Sequence, residues 1–506
     1  MNTKRWLIPI LLLVTLVLSA LSFDPKPCTG GDNATYILLS RSILDGKGYR
    51  DTYLPGEPAH RSYPFGYPLI LAGIELICGR SLFFLKAFSI LCLMGAVWLT
   101  FEIVFKLKKK TFLAFGIALV TAICPAMLDF SHWVLTEAPY LLVSLLSLFL
   151  FIGAPENGKR RFAWLFFSAM AAAASFYVRS NGMMLLPAIV LCLLIKRKLL
   201  DAVAFTATFA VLLSPWILYN RSLGGGLGES ANVFFILDVY NLDAGKITLI
   251  GVLGRALENW KIYFGSVFPG MALPAWCGGE PSYVLAALFT GILGTGLIAD
   301  LRKSVSLVGI YALFFLGLAM IWHPSVSSAR YLVPIFPILM YYLIVGMNAA
   351  WTRIIKGNTL TLLIPVYTII VTCSAFALIP SIRMNVEMLK SYRGGDKYAG
   401  YDPEWRSFYE SADWIRKNSP ESSIVVSRKP TLFCLASGKK SYCYQFTHDR
   451  DSVLRSVLRA DYVLVDRISG TTNRYLIPAI RSYVPERLEF AFVASDSFTC
   501  VLKVRR

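Results

Sequence analysis

The chain has 506 residues, of which 56% are hydrophobic and 16% charged, whereas about a quarter of a typical soluble domain is charged. Its mean hydropathy of +0.57 excludes a soluble globule and also a disordered chain, which needs low hydrophobicity. The formal net charge of +19 would favour nucleic-acid binding in a soluble protein, but in a membrane protein it is typical of cytoplasmic loops. The sequence therefore predicts an integral membrane protein that binds no nucleic acid.

Membrane-spanning helices are the first elements that the sequence predicts. A helix needs roughly 20 mostly apolar residues to cross the hydrocarbon core of a bilayer, and eleven stretches meet or approach that length. They lie near residues 6–22, 82–105, 111–128, 134–153, 162–178, 183–196, 199–219, 282–299, 304–322, 331–350 and 359–380. The first stretch also fits a signal peptide, but its long apolar core favours a retained anchor. We expect a polytopic α-helical protein with about eleven transmembrane helices.

The loops between these spans alternate in charge. Every second loop is basic, and the cations concerned are Lys4, Arg5, Lys106, Lys108, Lys109, Lys110, Lys159, Arg160, Arg161, Lys196, Arg197, Lys198, Arg302, Lys303, Arg353 and Lys356. Because cytoplasmic loops carry an excess of Lys and Arg, this set and the N-terminus are predicted to be cytoplasmic. An odd number of spans then places the C-terminus outside. The expected location is the cell (inner) membrane, crossed several times.

Three segments fall on the outer face in this topology. They are the loops at 23–81 and 220–281 and the tail at 382–506. The tail has helix patterns at 404–417, 451–459 and 473–481 and strand patterns at 423–427, 462–466, 487–494 and 498–504. Such a mixture is typical of a small α/β domain. The predicted division is a transmembrane domain at 1–381 and an extracytoplasmic α/β domain at 382–506.

Two carboxylates at outer helix ends are the candidate catalytic residues. Ionisable groups near membrane depth are costly and usually serve a function. Asp32 follows a pair of glycines and either caps a helix over 33–44 or acts as a general base or metal ligand at the membrane surface. Glu137 lies close in sequence to His132 and Thr136. It either favours a helix N-terminus or belongs to a functional polar cluster.

Several outward-facing cations are not explained by the charge bias of the loops. They are His60, Arg61, Arg179, Arg221 and Arg330, the last of which precedes Tyr331. An arginine at the bilayer surface either extends to lipid phosphates in a purely structural role or, beside an acidic pair, binds a phosphate group with its planar guanidinium. Because several of these cations are predicted to lie on the same outer face, binding of a phosphate group is the favoured interpretation.

Four short motifs occur in an order that resembles the C-type glycosyltransferases (GT-C). They are Asp32 soon after the first span, then Tyr63-Pro64-Phe65-Gly66-Tyr67-Pro68-Leu69, Leu135-Thr136-Glu137-Ala138-Pro139 and Arg330-Tyr331-Leu332-Val333-Pro334. The chain looks most like the bacterial relatives of the dolichyl-phosphate-mannose protein mannosyltransferases, the group that includes the aminoarabinose transferase of lipid A. The resemblance covers about residues 1–380.

The resemblance implies a cell-envelope enzyme that transfers a sugar, with inversion, from a polyprenyl-phosphate donor in the membrane to a lipid, glycan or protein acceptor on the outer face. Asp32 would be the catalytic carboxylate, Glu137 the second acid, and Arg330 with Tyr331 would contact the lipid phosphate. The substrate-binding set is completed by His60, Arg61, Tyr63, His132, Arg179 and Arg221. Many relatives carry a second acid directly after the first, where this chain has Asn33. No cofactor or metal is therefore assigned, and a divalent metal stays an open alternative.

The main alternative function is a lipid-linked sugar flippase or another transporter. Transporters also place ionisable groups at membrane depth, usually near the midplane on interrupted helices within internal repeats. Here both acids lie at helix ends on one face, and a transporter would not need two large outer loops and a folded tail. An outer-face polymerase or ligase of another glycan family and a non-catalytic scaffold are the other interpretations.

Overall fold

The computed structural model describes residues 3–225 and 235–505, so part of the second predicted outer loop, residues 226–234, lies outside the described residues. The helices before this gap are α1 (Thr3–Leu21), α2 (Gly31–Leu44), α3 (Gly66–Cys78), α4 (Leu82–Lys108), α5 (Thr111–Ile123), α6 (Pro125–Ser131), α7 (Glu137–Gly153), α8 (Lys159–Val178), α9 (Leu185–Ile195) and α10 (Leu199–Ser222). The helices of the membrane part after it are α11 (Leu249–Ile262), α12 (Phe268–Ala272), α13 (Tyr283–Leu301), α14 (Leu307–Met320), α15 (Ala329–Leu332), α16 (Phe336–Ile354) and α17 (Thr359–Arg393).

Every predicted span coincides with a helix, but fewer helices are long enough to cross a bilayer by themselves. In the described part of the chain, six helices have sufficient length and apolar character, and the bent pair α5–α6 would make seven. The other predicted spans correspond to the shorter apolar helices Trp6–Leu21, Glu137–Gly153, Ser180–Ile195 and Leu307–Met320. The protein is a multi-pass membrane protein, and the number of eleven spans stays a prediction.

Close helix packing shapes the membrane part. Pro125 begins α6, and the axis bends by 58° between α5 and α6, because proline cannot continue the hydrogen bonding of the preceding helix. The helices α13 and α16 approach each other at glycines. A methyl group on Gly296 would lie 2.1 Å from the carbonyl oxygen of Tyr342, and one on Gly346 would lie 2.0 Å from that of Ile292. Only glycine permits this contact.

Several predicted cytoplasmic loops meet at one end of the bundle, here called the basic end. They enclose a cavity of about 530 Å³ whose lining includes the cations Lys108, Arg161, Lys196, Lys198 and Lys303. Glu137 begins α7 and Phe151, near the end of that helix, lines the cavity. The basic end and the end that carries Glu137, here called the Asp32 end, are therefore roughly 20 Å apart along α7. The structure thus groups these loops as the charge alternation predicts.

The C-terminal domain contains a mixed five-stranded sheet. Its elements are α18 (Pro403–Asn418), β1 (Ile424–Val426), α19 (Pro430–Ser437), β2 (Lys440–Tyr442), α20 (Arg450–Val457), β3 (Tyr462–Val465), α21 (Ile477–Ile480), β4 (Leu488–Val493) and β5 (Cys500–Val504). The strand order is β2-β1-β3-β5-β4, in which β1 is parallel to β2 and β3, and β5 is antiparallel to β3 and β4. The sequence did not predict α19 and β2. The helix α17 continues across residues 381 and 382, where the sequence analysis divides the chain.

The C-terminal domain packs directly against α2, the helix that carries Asp32. Ala34 of α2 is buried in the same apolar cluster as Phe408 and Phe433. The Thr431 hydroxyl donates a hydrogen bond to the carbonyl oxygen of Gly31 at 3.1 Å. The first turn of α2 is therefore held by contacts from the C-terminal domain as well as by the membrane helices.

Candidate active site

Asp32 lies in the first turn of α2 and does not cap that helix. The N-cap residue is Gly30, α2 begins at Gly31, and no side chain caps the helix. The alternative that Asp32 is the N-cap is therefore wrong. A carboxylate in the first turn still benefits from the positive end of the helix dipole, while its oxygens are available to other elements.

The Asp32 carboxylate accepts hydrogen bonds from two side chains. The Tyr63 hydroxyl donates to Oδ1 at 3.0 Å, and Nη1 of Arg330 donates to Oδ2 at 2.6 Å. Burial acts to raise the pKa of Asp32, but the charge of Arg330 and these hydrogen bonds outweigh it and hold the pKa below its ordinary value. Asp32 is consequently ionised at neutral pH.

Glu137 is the first residue of α7, and its side chain is completely buried. One of its oxygens, Oε1, accepts hydrogen bonds from both Arg179 and Arg330. The other, Oε2, has no hydrogen-bond partner among the described residues. Arg179 also donates to the Thr136 hydroxyl at 3.0 Å. A buried carboxylate between two guanidinium groups fixes the orientation of both.

Arg330 joins the two carboxylates, although it is 298 residues from Asp32 and 193 residues from Glu137 in sequence. We call Asp32, Glu137, Arg179 and Arg330 the carboxylate–arginine network. Its accessibility is graded, because side-chain exposure falls from 33% at Asp32 and 25% at Arg330 to zero at Glu137. The Arg179 guanidinium carbon also lies 5.6 Å from the ring centroid of Tyr331. Asp32 therefore forms the accessible side of the network.

His60 supports Tyr63 and has no hydrogen bond to Asp32 among the described contacts. Its Nδ1 is 2.7 Å from an Asp51 carboxylate oxygen, and its Nε2 accepts a hydrogen bond from the Tyr63 backbone N–H at 3.0 Å. The His60 and Tyr63 rings are stacked, with centroids 5.4 Å apart. His60 thus positions the residue that binds Asp32, and this indirect arrangement differs from the direct substrate contact expected from the sequence.

Three other candidate residues are not brought into the network. Nε2 of His132 lies 2.9 Å from the carbonyl oxygen of Ser19. Arg61 donates a hydrogen bond to the carbonyl oxygen of Leu223, and Arg221 is exposed at the last turn of α10. His132 and Thr136 therefore do not form one cluster with Glu137, because only Thr136 shares Arg179 with it.

The sequence analysis missed Lys429, a residue of the C-terminal domain. It precedes α19 as its N-cap residue, and its side chain lies close to Gly31 at the start of α2. No sequence pattern indicated this position, because it depends on how the domain docks on the membrane part. Among the described residues, no group of three or more His, Cys, Asp or Glu side chains has the arrangement of a metal site.

Comparison with known proteins bears on the same part of the chain. Residues 62–219 match the model of the family described as dolichyl-phosphate-mannose-protein mannosyltransferase. That range includes Tyr63, Glu137 and Arg179 and does not extend to Asp32 or Arg330. No curated protein matches the sequence.

Solved structures share the fold over nearly the whole chain. ArnT from Cupriavidus metallidurans superposes with a TM-score of 0.58 in the apo state and 0.59 bound to undecaprenyl phosphate, at 14% and 13% identity, with 99% of this chain and 98% of ArnT covered. The chain therefore has an ArnT-like fold. The archaeal oligosaccharyltransferase AglB from Archaeoglobus fulgidus, in complex with an inhibitory peptide and a dolichol-phosphate, matches with a TM-score of 0.53 at 12% identity, over 92% of this chain and 70% of AglB. The family resemblance inferred from the motifs is confirmed.

Proposed function

We propose that the protein transfers a sugar from a polyprenyl-phosphate donor to a lipid, glycan or protein acceptor on the outer face of the membrane. The observation that carries this proposal is the carboxylate–arginine network, in which an accessible Asp32 and a buried Glu137 share Arg330. The network lies at the helix ends of a GT-C fold, next to a soluble domain. A transporter site near the membrane midplane would not need this arrangement.

Asp32 is the proposed general base. The acceptor hydroxyl or amine attacks the anomeric carbon of the donor sugar, its proton passes to the Asp32 carboxylate, and the bond from the anomeric carbon to the phosphate oxygen breaks. A single displacement of this kind inverts the configuration at the anomeric carbon. A positioned base typically contributes about 10²–10⁴-fold in rate.

Glu137, Arg179 and Tyr63 are proposed to position the reacting groups. Glu137 holds Arg330 and Arg179 from the buried side, so that the Arg330 guanidinium keeps its orientation toward Asp32. Tyr63 donates to the other oxygen of Asp32 and fixes the plane of the carboxylate. Preorganised groups of this kind avoid reorganisation during the reaction.

The proposed donor is supported by the likeness to structures that contain a polyprenyl phosphate. ArnT has been solved bound to undecaprenyl phosphate, and AglB in complex with a dolichol-phosphate. A sugar on such a lipid already has a phosphate leaving group, so the protein needs no nucleotide-binding motif. The expected partners are this donor, the surrounding membrane lipids and the acceptor.

Two measurements test the function, one in cells and one with the purified protein. Mass spectrometry should show that cells lacking the protein lose one sugar from an envelope glycan and accumulate the matching polyprenyl-phosphate sugar. The purified protein in lipid nanodiscs should release polyprenyl phosphate from that donor when the acceptor is present. An unchanged glycan together with a lipid-linked sugar confined to one leaflet would instead identify a flippase.

The proposed orientation is tested separately by cysteine labelling. In a variant that lacks the exposed Cys78, cysteines at Lys108 or Arg302 should react with a membrane-impermeant reagent only after lysis. A cysteine at Lys417 in α18 should react in intact spheroplasts. If the cysteine introduced at Lys417 were labelled only after lysis, a reaction on the outer face would be contradicted.

A further inference from the structure

The charge balance of the carboxylate–arginine network leaves the donor phosphate without a free cation. Two guanidinium groups, those of Arg179 and Arg330, pair with the two carboxylates of Asp32 and Glu137. Arg330 already uses its Nε and Nη1 atoms on the carboxylates. A phosphate that entered here would meet a cluster with no net charge. A further cation at this end would supply positive charge that the paired guanidinium groups lack.

Lys429 places a cation beside this network. Its side chain runs along the first turn of α2, where a methyl group on Gly31 would lie 3.9 Å from both Cδ and Nζ of the lysine. Lys429 and Asp32 are close enough to interact electrostatically. Among the described residues, the Lys429 ammonium donates no hydrogen bond and forms no ion pair. Its three N–H donors therefore remain available for an anion.

The position of Lys429 is fixed by neighbours on both sides. Two residues later, Thr431 binds the carbonyl oxygen of Gly31 at 3.1 Å, which ties the start of α19 to the start of α2. The Lys429 side chain lies at van der Waals distance from the position that a Cβ at Gly31 would occupy, so it packs along the start of α2. The ammonium is thus delivered to the Asp32 end by a docked domain and not by a free loop.

The neighbouring Arg428 is held by contacts within the protein, so its guanidinium group is less free than the Lys429 ammonium to bind an anion. Its guanidinium carbon lies 4.8 Å from the ring centroid of Phe446 and 5.6 Å from that of Tyr240, and its Nε donates to the Thr471 hydroxyl at 2.8 Å. These contacts hold Arg428 within the C-terminal domain and against the second outer loop. Of this adjacent pair, Lys429 is the residue that faces α2.

We infer that Lys429 binds the phosphate of the polyprenyl-phosphate donor, so that the C-terminal domain contributes a residue to the active site. This inference rests on the proposed function. When the acceptor oxygen bonds to the anomeric carbon, the electron pair of the broken bond passes to the phosphate oxygen, and the acceptor proton passes to Asp32. Lys429 stays protonated and stabilises the charge that develops on the phosphate, as a preorganised cation does.

Binding of two lipids to the purified full-length protein in nanodiscs tests the inference. The probes are undecaprenyl phosphate and undecaprenol, which lacks the phosphate. Lys429→Ala should weaken binding of undecaprenyl phosphate by roughly tenfold or more, as expected for loss of a hydrogen bond to a charged group, and leave undecaprenol binding unchanged. Lys429→Arg should retain most of the affinity. Lys417→Ala, an exposed lysine substitution in the same domain, is the matched control and should have no effect.

A pH series on the wild-type protein gives a test that needs no substitution. Burial and the charge of Arg428 lower the pKa of Lys429, and Asp32 opposes them. The other facing groups, the thiols of Cys28 and Cys443, have pKa values raised to about 11 by burial and stay neutral. Affinity for undecaprenyl phosphate should therefore fall as the pH rises, beginning below the ordinary lysine pKa of about 10.4. In Lys429→Arg this fall should be absent.

The two proposals fail in different ways. If the wild-type protein bound undecaprenyl phosphate no better than undecaprenol, the proposed function itself would be contradicted. If the wild-type protein preferred the phosphate but Lys429→Ala bound it equally well, or the wild-type and Lys429→Arg proteins had the same pH dependence, only the role of Lys429 would be overturned.

Discussion

The two ends of the helix bundle both combine acids with cations, but they differ in how completely these groups are enclosed. At the basic end, Asp300 accepts hydrogen bonds from Lys108 and, at 2.7 Å, from the Tyr341 hydroxyl, and only 10% of its side chain is exposed. At the Asp32 end, 33% of the Asp32 side chain is exposed beside Arg330. The first acid lines the cavity of the basic end but is largely covered by its two partners, whereas a third of the second side chain is exposed.

The comparison separates a structural ion pair from a candidate catalytic one. Enclosed pairs offset the cost of burying charge only by binding each other, so Asp300 and Lys108 have little left to offer a ligand. Asp32 is ionised, accessible and next to an available ammonium. Residue type and predicted depth do not distinguish the two ends, but the contacts do.

Asp32→Asn should produce the largest effect on activity. The amide preserves the size of the side chain, and its single oxygen can still accept the hydrogen bond from Arg330 while its NH2 group faces the Tyr63 hydroxyl. It cannot take up the proton of the acceptor. We expect turnover to fall at least about 100-fold while undecaprenyl phosphate still binds. Sugar transfer from purified lipid-linked donor in nanodiscs measures this.

Asp45→Asn is the matched control for that experiment. Asp45 lies at the C-terminal end of the same helix and pairs with Arg80 at the surface, where 43% of the Asp45 side chain is exposed. This variant should have normal turnover. Near-normal turnover of Asp32→Asn would remove Asp32 as the base and direct the search to Glu137.

The second largest effect is expected for Arg330. Arg330→Ala would leave Glu137 with Arg179 alone and Asp32 with Tyr63 alone, and breaking a buried pair typically costs about 3–5 kcal/mol. The alanine variant therefore tests stability as much as function. Arg330→Lys is cleaner, because it keeps the charge but loses the planar fork that reaches both carboxylates.

For Arg330→Lys we expect kcat/KM to fall roughly tenfold or more, as for the loss of one charged hydrogen bond. Arg61→Lys, whose guanidinium contacts only the Leu223 carbonyl group in the described contacts, should behave like wild type. Equal kcat/KM values for the two lysine variants and the wild type would show that Arg330 is dispensable for transfer. Thermal unfolding of the same samples shows whether the fold is retained.

The sequence predicted the long apolar helices, but neither the helices α3 and α11 within the predicted outer loops nor the contacts between side chains. Hydropathy located each span because the bilayer requires long apolar helices, and charge alternation grouped the loops of the basic end. The contact between Asp32 and Arg330 joins positions 298 residues apart, and nothing in either motif states that they meet. The short elements α19 and β2 were missed, although α20 and β1, which have the same lengths of eight and three residues, were predicted. Length alone therefore does not explain the omission.

The candidate site residues likewise fall into those that the structure brings together and those that it does not. Glu137 was selected because an acid near membrane depth is costly. Arg179 and Arg330 were selected because the charge bias of the loops does not explain outward-facing cations. These three side chains do converge. Arg61 and Arg221 were selected on the same ground as the other arginines, and His132 as a polar neighbour of Glu137. Arg61 and His132 contact backbone carbonyl groups instead. Lys429 was not selected because it lies in a polar domain, where a lysine is unremarkable in sequence and becomes significant only through docking.

The pH dependence of transfer should reflect the lowered pKa of Asp32. Because Arg330 and Tyr63 favour the ionised form, the base is active at neutral pH and is lost only as the pH falls through its depressed pKa. In a plot of kcat/KM against pH, the loss of activity on the acidic side should therefore lie below about pH 4, since the ordinary aspartate pKa is about 3.9. This part of the plot is called the acidic limb. In Tyr63→Phe, which removes one hydrogen bond to the carboxylate, the limb should move to higher pH. A limb that does not move would show that Tyr63 leaves the pKa of the base unaffected.

The smallest effect on activity is expected at the basic end, where Asp300→Asn tests the other half of the comparison. This change leaves Lys108 without its partner and weakens the hydrogen bond from Tyr341, which should lower the free energy of unfolding by roughly 1–3 kcal/mol. The folded fraction should keep the kcat/KM of the wild type, because Asp300 is separated from Glu137 by most of the length of the bundle. Tyr341→Phe, which removes the second donor, should lower stability by less. A loss of transfer in Asp300→Asn at unchanged stability would mean that the two ends are coupled, and the distinction between an enclosed structural pair and an accessible catalytic one would fail.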